Sequence, residues 1–450
     1  MIDAPIARSP RARLLRLSAP PVWATVLFAL VLNVCLLPLI FHPFDIFVAW
    51  IDWARASHGA YPWDVYRLRP VCNYPAVWPY LLTALERVRL TLHLSADDTA
   101  TVYLFKLPGM IGQLVGIPLV YRGLRRVTPG NGRVARHAAL LYALCPALLV
   151  DGVLWGQIDT LLCLGIVGAT LALLNRRPLH AGAWLGFALS VKLQAIIAAP
   201  ALAVYAFRRF GVRALAGGAA VAVAVIALLA APYFAAGVGG RVTNAYSSSV
   251  GLFPNRTVSA ANLWMTVNLA DAAARHKDPT QTNHDGGRVL RGVPVTEKTA
   301  GLVLFGATLA AILVLLYRHA PAAPWSLPVA GAASVWAFFC LCTQMHERYG
   351  VPAAALLTLA VGAGAAVRKT GAVPFALWAA ISIASAWNQF LVLDYDYCNV
   401  LKYSQWFAAA VWVPTMTVLP FVNLFLLAWM IGVLGRARQE PPLPAPKEPT

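Results

Sequence analysis

The sequence predicts an all-α protein, a polytopic bundle of about 12 transmembrane helices. Of the 450 residues, 59% are hydrophobic and only 12% are charged, whereas soluble domains average about 45–50% and about 25%. Apolar runs of about 20 residues, the length that a membrane-spanning helix needs, recur from one end of the chain to the other. Together these observations exclude a soluble globular protein.

The predicted spans begin with the apolar run 21–40, which is too long for a cleaved signal peptide. The runs 180–192 and 194–207 are each shorter than a full span, and we interpret them as half-helices that meet near Lys192 at the outer side. Broken helices are tolerated only where they line a cavity within the protein. The full set of predicted spans is 21–40, 101–121, 137–150, 157–174, 180–192, 194–207, 212–235, 298–317, 325–343, 348–366, 372–393 and 406–434.

The distribution of charge orients this bundle. One set of alternating loops, together with both termini, holds 20 basic and three acidic residues, while the rest holds 16 basic and 15 acidic residues. Cytoplasmic loops carry the excess of Lys and Arg, so the tails 1–20 and 436–450 are predicted to be cytoplasmic, the second of them disordered. The membrane domain then covers 21–435, with large outer loops at 41–100 and 236–297. The net charge of +18 is interpreted as a topology signal and not as a sign of nucleic-acid binding.

The sequence contains no cofactor motif. No cysteine or histidine cluster has the spacing of a zinc site, and no P-loop or dinucleotide-binding pattern occurs. Cys72 and Cys398 both fall on the predicted outer side, where a disulfide would be permitted. We therefore expect no metal and no other cofactor.

Two acids lie close to the end of the first span. Asp45 follows the apolar run by five residues, so it is expected at the boundary between membrane and water. A carboxylate that is partly desolvated there has a raised basicity and could take a proton from an incoming hydroxyl. Asp52 comes seven residues later, on the same face if the stretch is helical. The alternative is that both are solvated loop acids.

Further polar motifs fall on the same predicted side. Tyr74 lies in a Tyr-Pro segment with flanking aromatic residues, which also fits an ordinary aromatic belt. Gln157 and Asp159 follow in a short outer turn, and polar groups at membrane depth are by default functional or mutually paired. Lys192 and Gln194 lie in an otherwise apolar stretch, where Lys192 either faces a cavity or snorkels to the interface.

The sharpest motif is Gln-Met-His-Glu-Arg-Tyr at 344–349, between two apolar spans. His346 and Arg348 offer donors for a phosphate, which Arg can bind bidentately, and Glu347 could orient one of them. The alternative is an ordinary short outer loop. Arg256, in the large outer loop, adds a further cation. All these candidates share the predicted outer side, which favours one membrane-embedded site for a phosphate-containing lipid.

Taken in order, these motifs resemble those of the GT-C superfamily of integral-membrane glycosyltransferases, which take sugars from polyprenyl-phosphate carriers. They are most similar to the dolichyl-phosphate-glucose-dependent glucosyltransferases of N-glycan assembly and their bacterial relatives, and to the mannosyltransferases of GPI-anchor assembly. The resemblance departs at Ala76, where the family has Pro, at Arg256, one place early, and at Arg348, where the family has Lys. The matching positions are Asp45, Tyr74, Pro75, Asp151, Gln157, Asp159, Lys192, Gln194, Pro200, Phe253, Pro254, Asn262, Trp264, His346 and Glu347.

The resemblance implies that a GT-C bundle with a large extracytoplasmic first loop transfers a single hexose or pentose with inversion. Asp45 is then the catalytic base, and the polyprenyl phosphate leaves against donors from His346, Arg348 and Lys192. Such a leaving group needs no general acid, and these transferases look metal-independent. The residues expected to support the site or bind substrate are Asp52, Tyr74, Gln157, Asp159, Gln194, Arg256 and Glu347.

Two other functions remain open. A glycan ligase or polymerase with a lipid-diphosphate donor would also use cationic outer loops. A 12-span transporter or flippase would share the layout, although such transporters have two related halves with sites near the midplane. The expected partners are a polyprenyl-phosphate sugar donor, a glycan or glycolipid acceptor and the lipid bilayer, with no nucleic acid. High Ala and Arg usage suggests a bacterium with GC-rich DNA, and hence an inner-membrane enzyme whose site faces the periplasm or the outside.

Overall fold

The computed structural model describes residues 19–128, 130–248, 251–278, 283–289, 294–319, 323–365, 372–393 and 408–436. Within these ranges the protein is a bundle of helices, with a few isolated β-bridges in the outer loop. The predicted tails, apart from their innermost residues, lie outside the described ranges, and so does Cys398.

The α-helices form where the sequence carries apolar runs, and shorter helices fill the first outer loop. In chain order they are α1 (Val22–Leu36), α2 (Asp52–Ala56), α3 (Pro62–Leu68), α4 (Val77–Thr91), α5 (Thr99–Val127), α6 (Gly132–Ala143), α7 (Pro146–Leu149), α8 (Asp159–Leu174), α9 (Pro178–Val191), α10 (Ala199–Ala235), α11 (Gly239–Ser247), α12 (Leu263–Ala274), α13 (Glu297–His319), α14 (Ser326–Leu341), α15 (Val351–Ala365), α16 (Ala372–Val392) and α17 (Val413–Arg436). The described ranges also contain π-helical segments at Phe44–Ile51, Val150–Trp155 and Ala408–Trp412, and a 3₁₀ turn at Leu193–Ile197.

Several of these helices are long and apolar enough to cross a membrane. In the described residues five qualify singly, and α6 with the bent continuation Pro146–Trp155 makes a sixth. Shorter apolar helices add α1, α8, α14 and most of α15. The polytopic helical bundle is therefore confirmed, while the number of 12 spans stays a prediction.

The central helix of the bundle is α8, which carries Asp159 at its first position. Every residue from 159 to 173 is buried. Glycines on α5 let the start of α8 approach closely, because a Cβ on Gly109 would lie 2.6 Å from the Gln157 carbonyl oxygen. Thr160 Oγ1 also donates to the Gly109 carbonyl at 2.7 Å. The polar turn before α8 is thus held firmly against α5.

The predicted broken pair is present as α9 and the first part of α10. The backbones of Gly182 and Gly218 touch, and a Cβ on Gly186 would lie 2.5 Å from the Ala222 carbonyl oxygen. The contact moves from Gly182–Gly218 to Gly186–Ala222, four residues forward on both helices. Helix α9 therefore runs parallel to the part of α10 beyond Gly211. Gly211 itself has φ 83° and ψ 177° and interrupts α10. The segment between α9 and Gly211 must therefore run back in the opposite direction.

The break leaves Lys192 recessed below one face of the bundle. Helix α9 has 14 residues and is about 21 Å long at about 1.5 Å per residue. A hydrocarbon core of about 30 Å is longer than that. Lys192 has extended backbone angles, φ −158° and ψ 134°, and so turns its side chain out of the helical path into the bundle.

Candidate active site

Asp45 lies in the π-helix Phe44–Ile51, within a donor cage formed by Trp155 and Gln157, with the His42 imidazole beside it. Its Oδ2 accepts hydrogen bonds from Trp155 Nε1 at 2.8 Å and from Gln157 Nε2 at 2.5 Å. His42 Nδ1 lies 3.6 Å from the same oxygen and accepts the Asp45 backbone N–H at 3.0 Å. Among the described residues Asp45 Oδ1 accepts no hydrogen bond, and the side chain is 14% exposed. One carboxylate oxygen is therefore available to a reactant.

The surroundings lower the pKa of Asp45. Burial alone would raise it, but His42, Arg348 and the hydrogen bonds from Trp155 and Gln157 together outweigh burial. The expectation of a raised basicity is therefore wrong, because the charged form is stabilised by donors as well as desolvated. Burial lowers the pKa of His42 to about 4, against the opposing effect of Asp45. At neutral pH the donor cage holds an aspartate anion beside a neutral imidazole.

Lys192 and Asp159 form a buried ion pair next to this cage. Lys192 Nζ donates to Oδ1 and Oδ2 of Asp159 at 2.8 and 2.9 Å. The ammonium also lies 5.7 Å from the centre of the Tyr74 ring and 5.5 Å from that of Tyr349, within the range of cation–π attraction. Lys192 thus faces the interior of the protein and does not snorkel to the interface.

Arg348 joins the two halves of the site. Its Nη1 contacts Glu347 Oε1 at 2.5 Å, its Nε lies 3.7 Å from Asp159 Oδ2, and its guanidinium stacks 5.5 Å from the Trp155 ring centre. Arg348 Nε is buried and has no hydrogen-bond partner among the described residues. Because the same side chain stabilises the charge of Asp45, the base and the cations belong to one electrostatic unit.

His346 is held in a loop that the large outer loop supports. Its neighbour Met345 accepts the backbone N–H of Val258 at 2.8 Å, and its ring meets Phe253 edge to face at 5.0 Å. Burial, and then Arg348, keep the pKa of His346 well below its ordinary range. His346 is therefore a neutral donor or acceptor at neutral pH and not a cation.

Glu347 is the acid of this loop, and it lies between His346 and Arg348. Its Oε2 is 3.8 Å from His346 Nδ1, and burial raises the pKa of its carboxyl although Arg348 opposes this. Glu347 therefore lies where it can orient Arg348, as the sequence predicted.

Gln194 borders a small enclosed cavity beside the Lys192–Asp159 pair. The cavity holds about 10 Å³, room for about one water, and is lined by Asp159, Gln194, Ile197, Val335, Phe338, Tyr349 and Pro352. Both polar atoms of the Gln194 amide are buried without a hydrogen-bond partner in the described part of the chain. Gln194 is therefore a residue of the site whose polar groups could bind a ligand or a water, and so is Asp151, whose two carboxylate oxygens are also buried without a hydrogen-bond partner in the described part of the chain.

Two predicted site residues lie elsewhere. Asp52 pairs with Arg69 at 2.5 and 2.8 Å on a partly exposed surface. It misses the Asp45 face because Phe44–Ile51 is π-helical, and the i→i+5 pattern breaks the seven-residue periodicity of an α-helix. Arg256 binds Glu297 at 2.7 Å and Asp271 at 3.1 Å, so it holds the large outer loop together. For both residues the expected place in the site is wrong.

Three residues of the site were missed by the motif search. Trp155 completes the donor cage, His42 stacks on the Trp155 ring, and Tyr349 lies over the Lys192 ammonium. The sequence signal for His42 is its position three residues before Asp45, and that for Trp155 is its position two residues before Gln157. An aromatic residue at a membrane boundary is ordinary, so neither position stood out.

The described residues contain no group of three or more His, Cys, Asp or Glu side chains arranged to hold a metal ion. Two carboxylates of the site pair with cations, Asp159 with Lys192 and Glu347 with Arg348. Metal independence stays a prediction.

Comparisons with known proteins bear on the fold and the family. Residues 110–274 match the model of glycosyltransferase family 87. The chain is similar to the crystal structure of ArnT from Cupriavidus metallidurans bound to undecaprenyl phosphate, at 16% identity and a TM-score of 0.50, covering 92% of this chain and 77% of that one. The apo state of ArnT gives 15% identity and a TM-score of 0.48 over the same shares. A search of curated proteins finds no significant match.

The first of these structures shares the fold of the chain, so the predicted GT-C type of membrane bundle is confirmed. The segment that matches the glycosyltransferase family contains Gln157, Asp159 and Lys192, so the predicted resemblance to glycosyltransferases is confirmed for that segment.

Proposed function

We propose that the protein is an inverting glycosyltransferase that moves one hexose or pentose from a polyprenyl-phosphate carrier to an extracytoplasmic glycan or glycolipid. The observation that carries the proposal is the joining of a caged carboxylate, Asp45, to two buried cations, Lys192 and Arg348. A sugar-transfer site needs a base for the acceptor and donors for the departing phosphate, and these groups supply both within one recessed site.

Asp45 acts as the general base. Its Oδ1, which accepts no hydrogen bond among the described residues, receives the proton of the acceptor hydroxyl. The hydroxyl oxygen of the acceptor attacks the anomeric carbon at the same time. The low pKa of Asp45 keeps it ionised at neutral pH. A weak base that is charged at neutral pH suffices, because the anomeric carbon of an oxocarbenium-like transition state is strongly electrophilic and attracts the nucleophile.

Lys192 and Arg348 hold the carrier phosphate. Lys192 spends two of its three N–H donors on Asp159, and Arg348 has a buried Nε without a hydrogen-bond partner among the described residues. Donors fixed in a low-dielectric site stabilise the charge that develops on a leaving group. His346, held neutral, contributes a further hydrogen bond to the phosphate.

The polyprenyl carrier is supported by the fold and by the depth of the site. ArnT, which shares the fold, was crystallised with undecaprenyl phosphate. Lys192 lies at a helix break within the bundle and Arg348 in the turn between α14 and α15, a place that a phosphate attached to a membrane lipid can reach laterally. The excess of basic residues in the loops at the opposite ends of the helices supports a site on the extracytoplasmic face, in a bacterium the periplasmic face of the inner membrane.

The test is an assay of the purified protein in nanodiscs with short-chain polyprenyl-phosphate glucose, mannose and arabinose, and an envelope glycolipid extract as acceptor. We expect one donor to be consumed, with release of polyprenyl phosphate and inversion at the anomeric carbon. Use of a polyprenyl-diphosphate oligosaccharide alone would make the protein a ligase. Translocation of a labelled lipid without sugar transfer would make it a flippase.

A further inference from the structure

Lys106 is a buried cation that the mechanism above does not use. It lies two turns into α5 and is completely buried. A charged side chain inside a membrane helix is costly to insert, so its ammonium needs strong partners. Lys106 Nζ donates to the carbonyl oxygens of Leu37 and Ile40 at 2.6 and 2.8 Å.

Both carbonyls belong to the turn that leads from α1 to Asp45. Carbonyls at the end of a helix have no intrahelical partner, and the ammonium satisfies that of Leu37, the C-cap of α1, together with the Ile40 carbonyl three residues later. Immediately after this turn, the His42 N–H donates to the Trp155 carbonyl at 3.2 Å, and the His42 carbonyl accepts the Ile46 N–H at 3.0 Å. The place of Asp45 is therefore set by the same short segment that Lys106 anchors.

The stem of Lys106 supports the opposite wall of the donor cage. Gly156, between the two donors of the cage, has φ +90°. A Cβ there would lie 2.8 Å from Ile46 Cδ1 and 3.0 Å from Lys106 Cγ. The turn that carries Trp155 and Gln157 is thus packed directly on the Lys106 stem.

We propose that Lys106 is a positioning residue that fixes Asp45 relative to its donors Trp155 and Gln157. The inference rests on the proposed role of Asp45 as the base. Lys106 contacts no reactant; its ammonium holds the Asp45 segment and its stem holds the donor turn. A misplacement of about 1 Å in a catalytic constellation can cost about 10²-fold in rate, so losing this link should slow the reaction without removing any reacting group.

The test compares Lys106→Met with Lys106→Gln, which keeps an N–H donor group in the buried position. Lys106→Met should lower kcat by about 10–100-fold, leave KM for the donor within about twofold, and move the acid limb of kcat/KM to higher pH as Asp45 loses its donors. Lys106→Gln should fall between. Gln113→Leu is the matched control, because it removes a buried hydrogen bond from the same helix to the Ala143 carbonyl, 2.8 Å in length.

Hydrogen exchange supplies a readout that needs no turnover. Amides 40–46 and 152–158 should exchange faster in Lys106→Met and be unchanged in Gln113→Leu. Unchanged exchange in Lys106→Met, together with an unchanged acid limb of kcat/KM, would overturn the inference. Equal effects in Lys106→Met and in the control Gln113→Leu would overturn it as well. Faster exchange in a protein that consumes no polyprenyl-phosphate sugar would retain the positioning role and reject the proposed function.

Discussion

The indole of Trp155 provides the sharpest probe of how the site controls Asp45. In Trp155→Phe the ring stays beside His42 and Arg348, but the 2.8 Å hydrogen bond to Asp45 Oδ2 is lost. A hydrogen bond to a charged group contributes about 1.5–3 kcal/mol, and one pH unit corresponds to about 1.36 kcal/mol. The acid limb of kcat/KM should therefore move up by about one to two pH units.

The sign follows from the role of Asp45. The base works only when ionised, so kcat/KM falls as the pH drops through the pKa of Asp45. In the wild type that pKa is lowered, and the limb lies below the ordinary range of an aspartate. Removing a donor to the anion raises the pKa and brings the limb upward, into a range where it can be measured.

The assay is sugar transfer as a function of pH, with Trp336→Phe as the control. Trp336 is also fully buried, and its indole donates to the Asn423 backbone carbonyl at 3.0 Å and not to a carboxylate. An acid limb that stays in place in Trp155→Phe, or one that moves equally in Trp336→Phe, would refute the explanation of the low pKa.

Three further outcomes follow from the contacts. Arg348→Ala should weaken the affinity for polyprenyl phosphate by about 10–100-fold, the equivalent of about 1.5–3 kcal/mol, and titration calorimetry showing unchanged affinity would locate the phosphate elsewhere. Arg256→Ala should lower the free energy of unfolding by about 3–5 kcal/mol, because it leaves Glu297 buried and unpaired, while phosphate affinity stays the same; thermal unfolding checks the first and calorimetry the second. In a variant without the native cysteines, a membrane-impermeant thiol reagent should label a Cys at Ser247 but not at Val212 in intact cells, and the reverse pattern would invert the topology.

Much of the site could be predicted because successive spans alternate in direction, so polar residues at alternate span ends lie on the same side of the bundle. That rule predicts one site for Asp45, Gln157, Asp159, Lys192 and Arg348, and in the structure these residues lie in one cluster. It also predicted the break at Lys192, because the two runs beside it are too short to cross a bilayer.

The remainder depends on geometry that a periodic pattern does not contain. The face that Asp52 presents depends on a π-helical turn, which has no reliable sequence signal. The partners of Arg256 are Asp271 and Glu297, 15 and 41 residues away, and several charges of the outer loop would have served equally in the sequence. The low pKa of Asp45 depends on how close His42 and Arg348 come to it and, after them, on two donors that arrive from Trp155 and Gln157.

Single-turnover transfer by Asp45→Asn tests the central claim most directly. The variant keeps the shape of the side chain and an oxygen for Trp155 and Gln157, so it should bind polyprenyl phosphate normally and lose about 10²–10⁴-fold in the rate of sugar transfer. Asp52→Asn is the matched control and should transfer at nearly the wild-type rate, because Asp52 only pairs with Arg69 on the surface. Near-normal transfer by Asp45→Asn, or an equal loss in Asp52→Asn, would contradict the assignment of Asp45 as the base.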